Sequence, residues 1–180
     1  MKEILQTYTT YNLWANTIII ELLKTHSSLL DKEVKSSFTS LRKTMHHIFF
    51  AEEIWHKRLH GESPASLPEP TSDFTVFTQQ LLVRSQSYVD LVASPRPSPQ
   101  GEGANNSVEK YLQTACSYKA VNGTPYTNPH WQMIMHCMNH STYHRGQIIT
   151  ILRELGVTSL PTTDLMAYFR NTDLPADRQV

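Results

Sequence analysis

The chain has 180 residues, 39% of them apolar and 18% charged, a balance that suits one domain with a buried core. Its 16 basic and 16 acidic residues cancel, leaving no net field to steer it onto nucleic acid or an anionic membrane, so neither is expected as a partner. There is no basic leader ahead of an apolar run, no spanning-length apolar stretch, and only two cysteines, Cys116 and Cys137. A cytoplasmic protein with free thiols is therefore predicted.

The first predicted helix runs from about Glu3 to Lys24, with Leu5, Tyr8, Tyr11 or Asn12, Ala15, Ile18, Ile19 and Leu22 at three- and four-residue steps. After a connection over about 25–39, Ser40 reads as an N-cap and Gly61 as the residue past a C-cap. Between them the second helix carries the stripe Leu41, Met45, Ile48, Glu52, Trp55 and Leu59. A proline- and serine-rich loop (61–72) follows. The third helix starts after Ser72–Asp73 and reaches about Ala93 through Phe74, Phe77, Leu81, Tyr88 and Leu91 or Val92. Residues 94–107 again read as loop. Asn122–Gly123, between Tyr118–Val121 and Thr124–Thr127, predicts a small β-hairpin with a type I′ turn, its second strand kept short or at an edge by Pro125. Asn128 as cap and Pro129 at the first helical position open the fourth helix, which runs to Leu155 and stops at Gly156. A short helix is expected after Pro161. With no internal repeat and no domain-sized linker, the reading is a single all-α domain over 1–180, a four-helix bundle with a hairpin between its third and fourth helices.

Nine histidines are present, five of them at 46–47 and within HCMNHSTYHRG (136–146). His136, His140 and His144 recur every four residues. On a helical wheel His140 and His144 fall inside the apolar stripe of Met133, Cys137, Ile148, Ile151 and Leu155, with His136 nearer its edge. A lone imidazole on an apolar face is usually hydrogen-bonded to a neighbour; two, one turn apart, can also hold one ion. His136 and His144 are about 12 Å apart along the axis, so a third ligand should come from another helix. The second helix offers His46, His47, His56, His60, Glu52 and Glu53. His56 lies near its stripe centre, whereas His47 belongs to a second apolar flank with Phe50 and Ile54. Periodicity does not choose between those two histidines. Glu52 is unusual in its own right, because a carboxylate on a core stripe is costly unless paired or ligated.

The stretches SLRKTMHHIFFAEEIWHKRLHG and NHSTYHRGQIITILRELG, with YNLWAN, NGTPY and LPTTDLMAYF, resemble the DinB family of the DinB/YfiT-like metalloprotein superfamily along nearly the whole chain. The resemblance implies an up-down-down-up four-helix bundle holding a divalent metal on three histidines, here His47, His140 and His144. It also implies a homodimer. Three imidazoles suit Zn²⁺ or Ni²⁺ and leave an open coordination position. Relatives in the wider superfamily include thiol-dependent S-transferases and an isomerase. The implied activity is therefore metal-dependent transfer to a low-molecular-weight thiol, in detoxification or stress response. The alternatives are a non-catalytic metal-binding protein and a metal-assisted hydrolase. Glu52 is a weak catalytic candidate, equally suited to an ion pair with Arg58 or Arg145. Arg145, off the stripe, is expected to pair with the second helix or a partner chain. His136 should pack beside the ligands, and Cys137 should be an inert core residue.

Overall fold

The computed structural model describes residues 1–93 and 104–172. Its elements are α1 (Lys2–Thr25), α2 (Leu41–Leu59), α3 (Phe74–Ala93), α4 (Ala104–Gln113), β1 (Ala115–Lys119), β2 (Pro125–Pro129), α5 (His130–Glu154) and α6 (Leu165–Thr172). The four long helices α1, α2, α3 and α5 pack together as the sequence predicts. Their starts and stops have local causes. The Ser40 hydroxyl accepts from the Lys43 amide (3.2 Å) at the start of α2, and the Asp73 carboxylate accepts from the Thr75 and Val76 amides at the start of α3. Gly61 and Gly156, at φ +80° and +91°, take the left-handed conformation that ends α2 and α5.

Two apolar clusters fill the interior. One gathers Ile19, Ile20 and Leu23 from the end of α1 with Leu41, Met45 and Ile48 from the start of α2. It also takes Phe77 and Leu81 from the start of α3 and Ile148, Ile151 and Leu152 from the end of α5. The other joins Leu5, Leu59, Tyr88, Val92, Met133, Ile134, Cys137 and Met138 from the opposite ends of the same helices. Hence α1 and α5 run one way, and α2 and α3 the other.

Three local expectations need correction. Residues 104–107 are not loop: they begin α4, a ten-residue helix whose buried Val108 and Leu112 join the second cluster. The rest of that predicted loop lies outside the described residues. The hairpin turn is not type I′, which would need positive φ at Asn122; only Gly123 has it, at +85°. Gly123 N–H instead bonds Ala120 O (2.8 Å) and Ala120 N–H bonds Thr124 O (2.9 Å). This is the pattern of a longer loop with glycine in the left-handed position. Finally, Asn128 and Pro129 belong to β2, paired with Cys116 and Ala115, and α5 begins at His130 with no side-chain cap. Hairpin pairing has claimed the residues that would otherwise cap the helix. The short helix after Pro161 is α6, opened by the Asp164 carboxylate on the Ala167 amide (2.8 Å).

Candidate metal centre

α2 and α5 pack side by side in opposite senses and bring His47 against His140 and His144. His47 Nε2 and His140 Nε2 are 3.0 Å apart, and His144 Nε2 and His140 Nε2 are 3.1 Å apart. One ring nitrogen from each of the three lies within 4.8 Å of the others. Two nitrogens bound at about 2.0–2.1 Å to a tetrahedral ion stand roughly 3.3–3.4 Å apart, close to this spacing. Burial and the neighbouring imidazoles push His140 down to about 3, and burial with His144 lowers His47, so both rings are neutral with lone pairs available at pH 7.

Proton bookkeeping shows why this arrangement fits a cation. His144 Nδ1 faces Gln147 Oε1 at 2.8 Å, and a carbonyl oxygen only accepts, so Nδ1 carries the ring proton and Nε2 is bare. His140 Nε2 has two nitrogen neighbours and at most one proton. Any neutral arrangement of the three rings therefore leaves one close nitrogen pair without a hydrogen bond. A single divalent ion would satisfy all three. His140 Nδ1, buried, has no hydrogen-bond partner among the described residues. Above the rings stands Phe38 from the segment before α2, 4.3 Å from the His47 ring and 5.7 Å from His144. Tyr143, 64% exposed, meets His144 edge-on.

The other sequence candidates lie elsewhere. His46 packs on Phe77, and His56 lies edge-on to Tyr88 and against His60, both on the α3 side of α2. His136 is exposed, edge-on to Trp55 at 4.8 Å, with its ring 6.2 Å from that of His140. Cys137 is fully buried and burial drives its thiol well above the usual range, as expected of an inert core residue.

Glu52 forms no direct ion pair with Arg58 or Arg145, contrary to the sequence expectation. Its Oε1 accepts from Asn12 Nδ2 (2.9 Å), Asn16 Nδ2 (2.9 Å) and Ser141 Oγ (3.1 Å), and its Oε2 from Ser85 Oγ (2.7 Å). Both oxygens are thus engaged by α1, α3 and α5, which makes this carboxylate a structural acceptor rather than a free base. Arg145 is not paired with α2 or held for a partner chain. Only 1% exposed, it donates to Asn12 Oδ1 (2.6 Å), Asn16 Oδ1 (2.8 Å) and Thr142 Oγ1 (2.8 Å). The two carboxamides thus link the buried cation to the buried anion, donating to Glu52 and accepting from Arg145. A wheel drawn against one neighbour put Arg145 off the stripe because α5 also buries a face against α1.

In the sequence Gln147 stood out only as part of the NHSTYHRGQ string, with no role of its own, and Phe38 did not stand out at all. The spacing of Gln147 from His144 (i, i+3) was a legible signal. Phe38 had only its place as the one Phe, Tyr or Trp in the 25–39 connection.

Comparison with known proteins bears on the family and the fold. The profile of the DinB family matches residues 1–173. Protein DinB of Bacillus subtilis (strain 168) is 26% identical over 156 residues, 84% of this chain and 86% of that protein. The crystal structure of a DinB-like protein from Bacillus cereus ATCC 10987 superposes with a TM-score of 0.57 at 21% identity. That match covers 85% of this chain and 91% of the other, and shows the likeness of fold.

Proposed function

Since the chain belongs to the DinB family, we propose that it is a metal-dependent transferase acting with a low-molecular-weight thiol, its ion held by His47, His140 and His144. The observation that carries this reading is the convergence of one ring nitrogen from each of three imidazoles on two helices, a set too small to close a tetrahedral site. Zn²⁺ and Ni²⁺ suit such ligands. When bound, the ion would supply Lewis acidity, lowering the pKa of a thiol or water at the open position.

The chain's own groups define the rest. Burial raises both Cys116 and Cys137, so neither offers a ready thiolate, and Glu52 is saturated with hydrogen bonds. A nucleophile supplied from outside, as a small thiol, fits that inventory. Phe38 and Tyr143 give the site an aromatic wall beside the rings, suited to an apolar electrophile. Detoxification or stress response in the cytoplasm is the role that we assign.

Purified protein should hold close to one Zn²⁺ or Ni²⁺ per chain by elemental analysis, and His140→Ala should lose it. Metal-loaded protein assayed with small thiols and model electrophiles should turn over faster than His140→Ala; equal rates would overturn the enzyme reading. A purely structural ion is separable by chelation. With apolar clusters at both ends of the bundle, the enzyme should survive chelator with a modest fall in Tm, whereas a structural staple would unfold.

We also assign a homodimer. Ile4 (66% exposed), Met135 (37%) and Leu165 (39%) line a groove of about 460 Å³ between α1, α5 and α6, an apolar surface that a second copy could cover. Wild type should sediment as a dimer and Ile4→Arg as a folded monomer. A wild-type monomer at all concentrations would remove this assignment.

A further inference from the structure

Gln147 stands at the junction of two parts of the site. Its Oε1 faces His144 Nδ1 at 2.8 Å, and its Nε2 donates to Ser37 Oγ at 3.3 Å. Ser37 precedes Phe38, the ring that covers His47 and His144. The segment carrying both is anchored at its start by Arg42, which donates from Nε and Nη2 to Asp31, and closed by the Val34 amide on Thr39 O. Its middle meets α5 at Gln147. The amide has one accepting end and one donating end, and each faces a group that needs it.

We propose that Gln147 is a positioning residue that locks the His144 ring in its Nδ1–H tautomer, aiming the bare Nε2 at the point shared with His47 and His140. This rests on the metal-centre reading for its purpose, though not for its geometry. An imidazole with no acceptor at Nδ1 divides its proton between both nitrogens, and a ring protonated at Nε2 cannot ligate there. Groups that accept the far N–H of a ligating histidine also fix ring orientation, and their loss typically costs about 10- to 100-fold in metal affinity. The bond to Ser37 is longer and exposed, so it guides Phe38 over the rings without setting the tautomer.

Two readouts test this. First, nitrogen-15 NMR of the metal-free protein at mildly alkaline pH should show His144 as the Nδ1–H tautomer in wild type and a mixture in Gln147→Met, with the His144→Ala spectrum giving the assignment. This readout needs no metal and stands even if the metal-centre reading falls. Second, competition for Zn²⁺ against a chromophoric chelator should show Gln147→Met about 10- to 100-fold weaker than wild type. Gln147→Glu keeps an acceptor for Nδ1–H and should recover most of that loss, while Ser37→Ala should bind as wild type does. An Nε2–H tautomer in wild type, or Gln147→Met matching wild type in tautomer, overturns the proposal. So does Gln147→Glu binding Zn²⁺ as weakly as Gln147→Met. Wild type with the expected tautomer but no Zn²⁺ binding would overturn the metal-centre reading alone. Circular dichroism of each variant shows whether the fold is kept.

Discussion

At the scale of single residues, the molecule places its charges in two unlike settings. Asp31 and Arg42 form a forked pair whose acid is exposed, and the guanidinium holds Asp31 below the usual carboxylate range. Such a pair adds little to stability. Glu52 and Arg145 are different. Both are out of water, and their desolvation is offset by the amides and hydroxyls lying between them, by their opposite charges and, for Arg145, by the Tyr11 ring 5.4 Å from its guanidinium. Removing one partner strands the rest. Glu52→Ala would leave the Asn12 amide and the Ser85 and Ser141 hydroxyls without their acceptor, Asn16 with one acceptor fewer, and Arg145 without its counter-charge. A loss of about 3–5 kcal/mol in urea unfolding is expected. Glu52→Gln keeps the shape and part of the bonding while removing the charge, so it should fall between Ala and wild type. Glu52→Ala unfolding at the wild-type midpoint would show that the carboxylate contributes nothing. The i+1 relation matters for the site. Ser141 and Arg145 directly follow His140 and His144, so the turns of α5 that carry the ligands are fixed from behind by this network.

At the scale of elements, α2 carries His47 from a start defined by one hydroxyl. Ser40→Ala should cost about 0.5–2 kcal/mol by chemical denaturation. The three rings, held further along by α2–α5 packing, should bind Zn²⁺ unchanged; unaltered stability would mean that the cap bond adds nothing. Caps and stripes of this kind were plain in the sequence, which is why α1, α2 and α3 are found within two residues of their predicted ends. The site was half legible. His140 and His144 lie one turn apart on a single stripe, so periodicity found them. Periodicity could not choose His47 over His56, because α2 is buried on two sides. His46 and His56 pack toward α3 while His47 faces α5. Choosing between them needs the identity of the neighbouring helix, which is tertiary information. The same limit explains Arg145 and α4. A helix with two buried faces has no single polar side, and α4, with Val108 and Leu112 one turn apart, offers too few turns for a period.

At the scale of the whole molecule, the histidines couple folding to pH. Burial lowers His46, His47 and His130, and burial with neighbouring cations takes His56 to about 3. His140, among its fellow imidazoles, also falls to about 3. In the unfolded chain each would titrate near the ordinary value of about 6.5. Between the two values the unfolded chain binds protons that the folded chain refuses. Stability therefore rises with pH across that interval: it is fully present above about 6.5 and is lost as pH falls toward the folded values. Each fully refused proton is worth at most about 1.4 kcal/mol per pH unit, and several rings act together. Asp31 and Asp164, held below the usual range by their hydrogen-bond partners, shift stability in the same direction but only once pH nears carboxylate values. The interval from about pH 6.5 to 4.5 is thus governed by imidazole. Metal-free protein should show a Tm that is flat above about pH 7 and falls steeply by about pH 5. His56→Phe, which removes one depressed ring remote from the three-histidine centre, should reduce that slope. If Tm is constant from pH 7 to 5, or His56→Phe leaves the slope unchanged, the buried rings are not resisting protonation as their surroundings require.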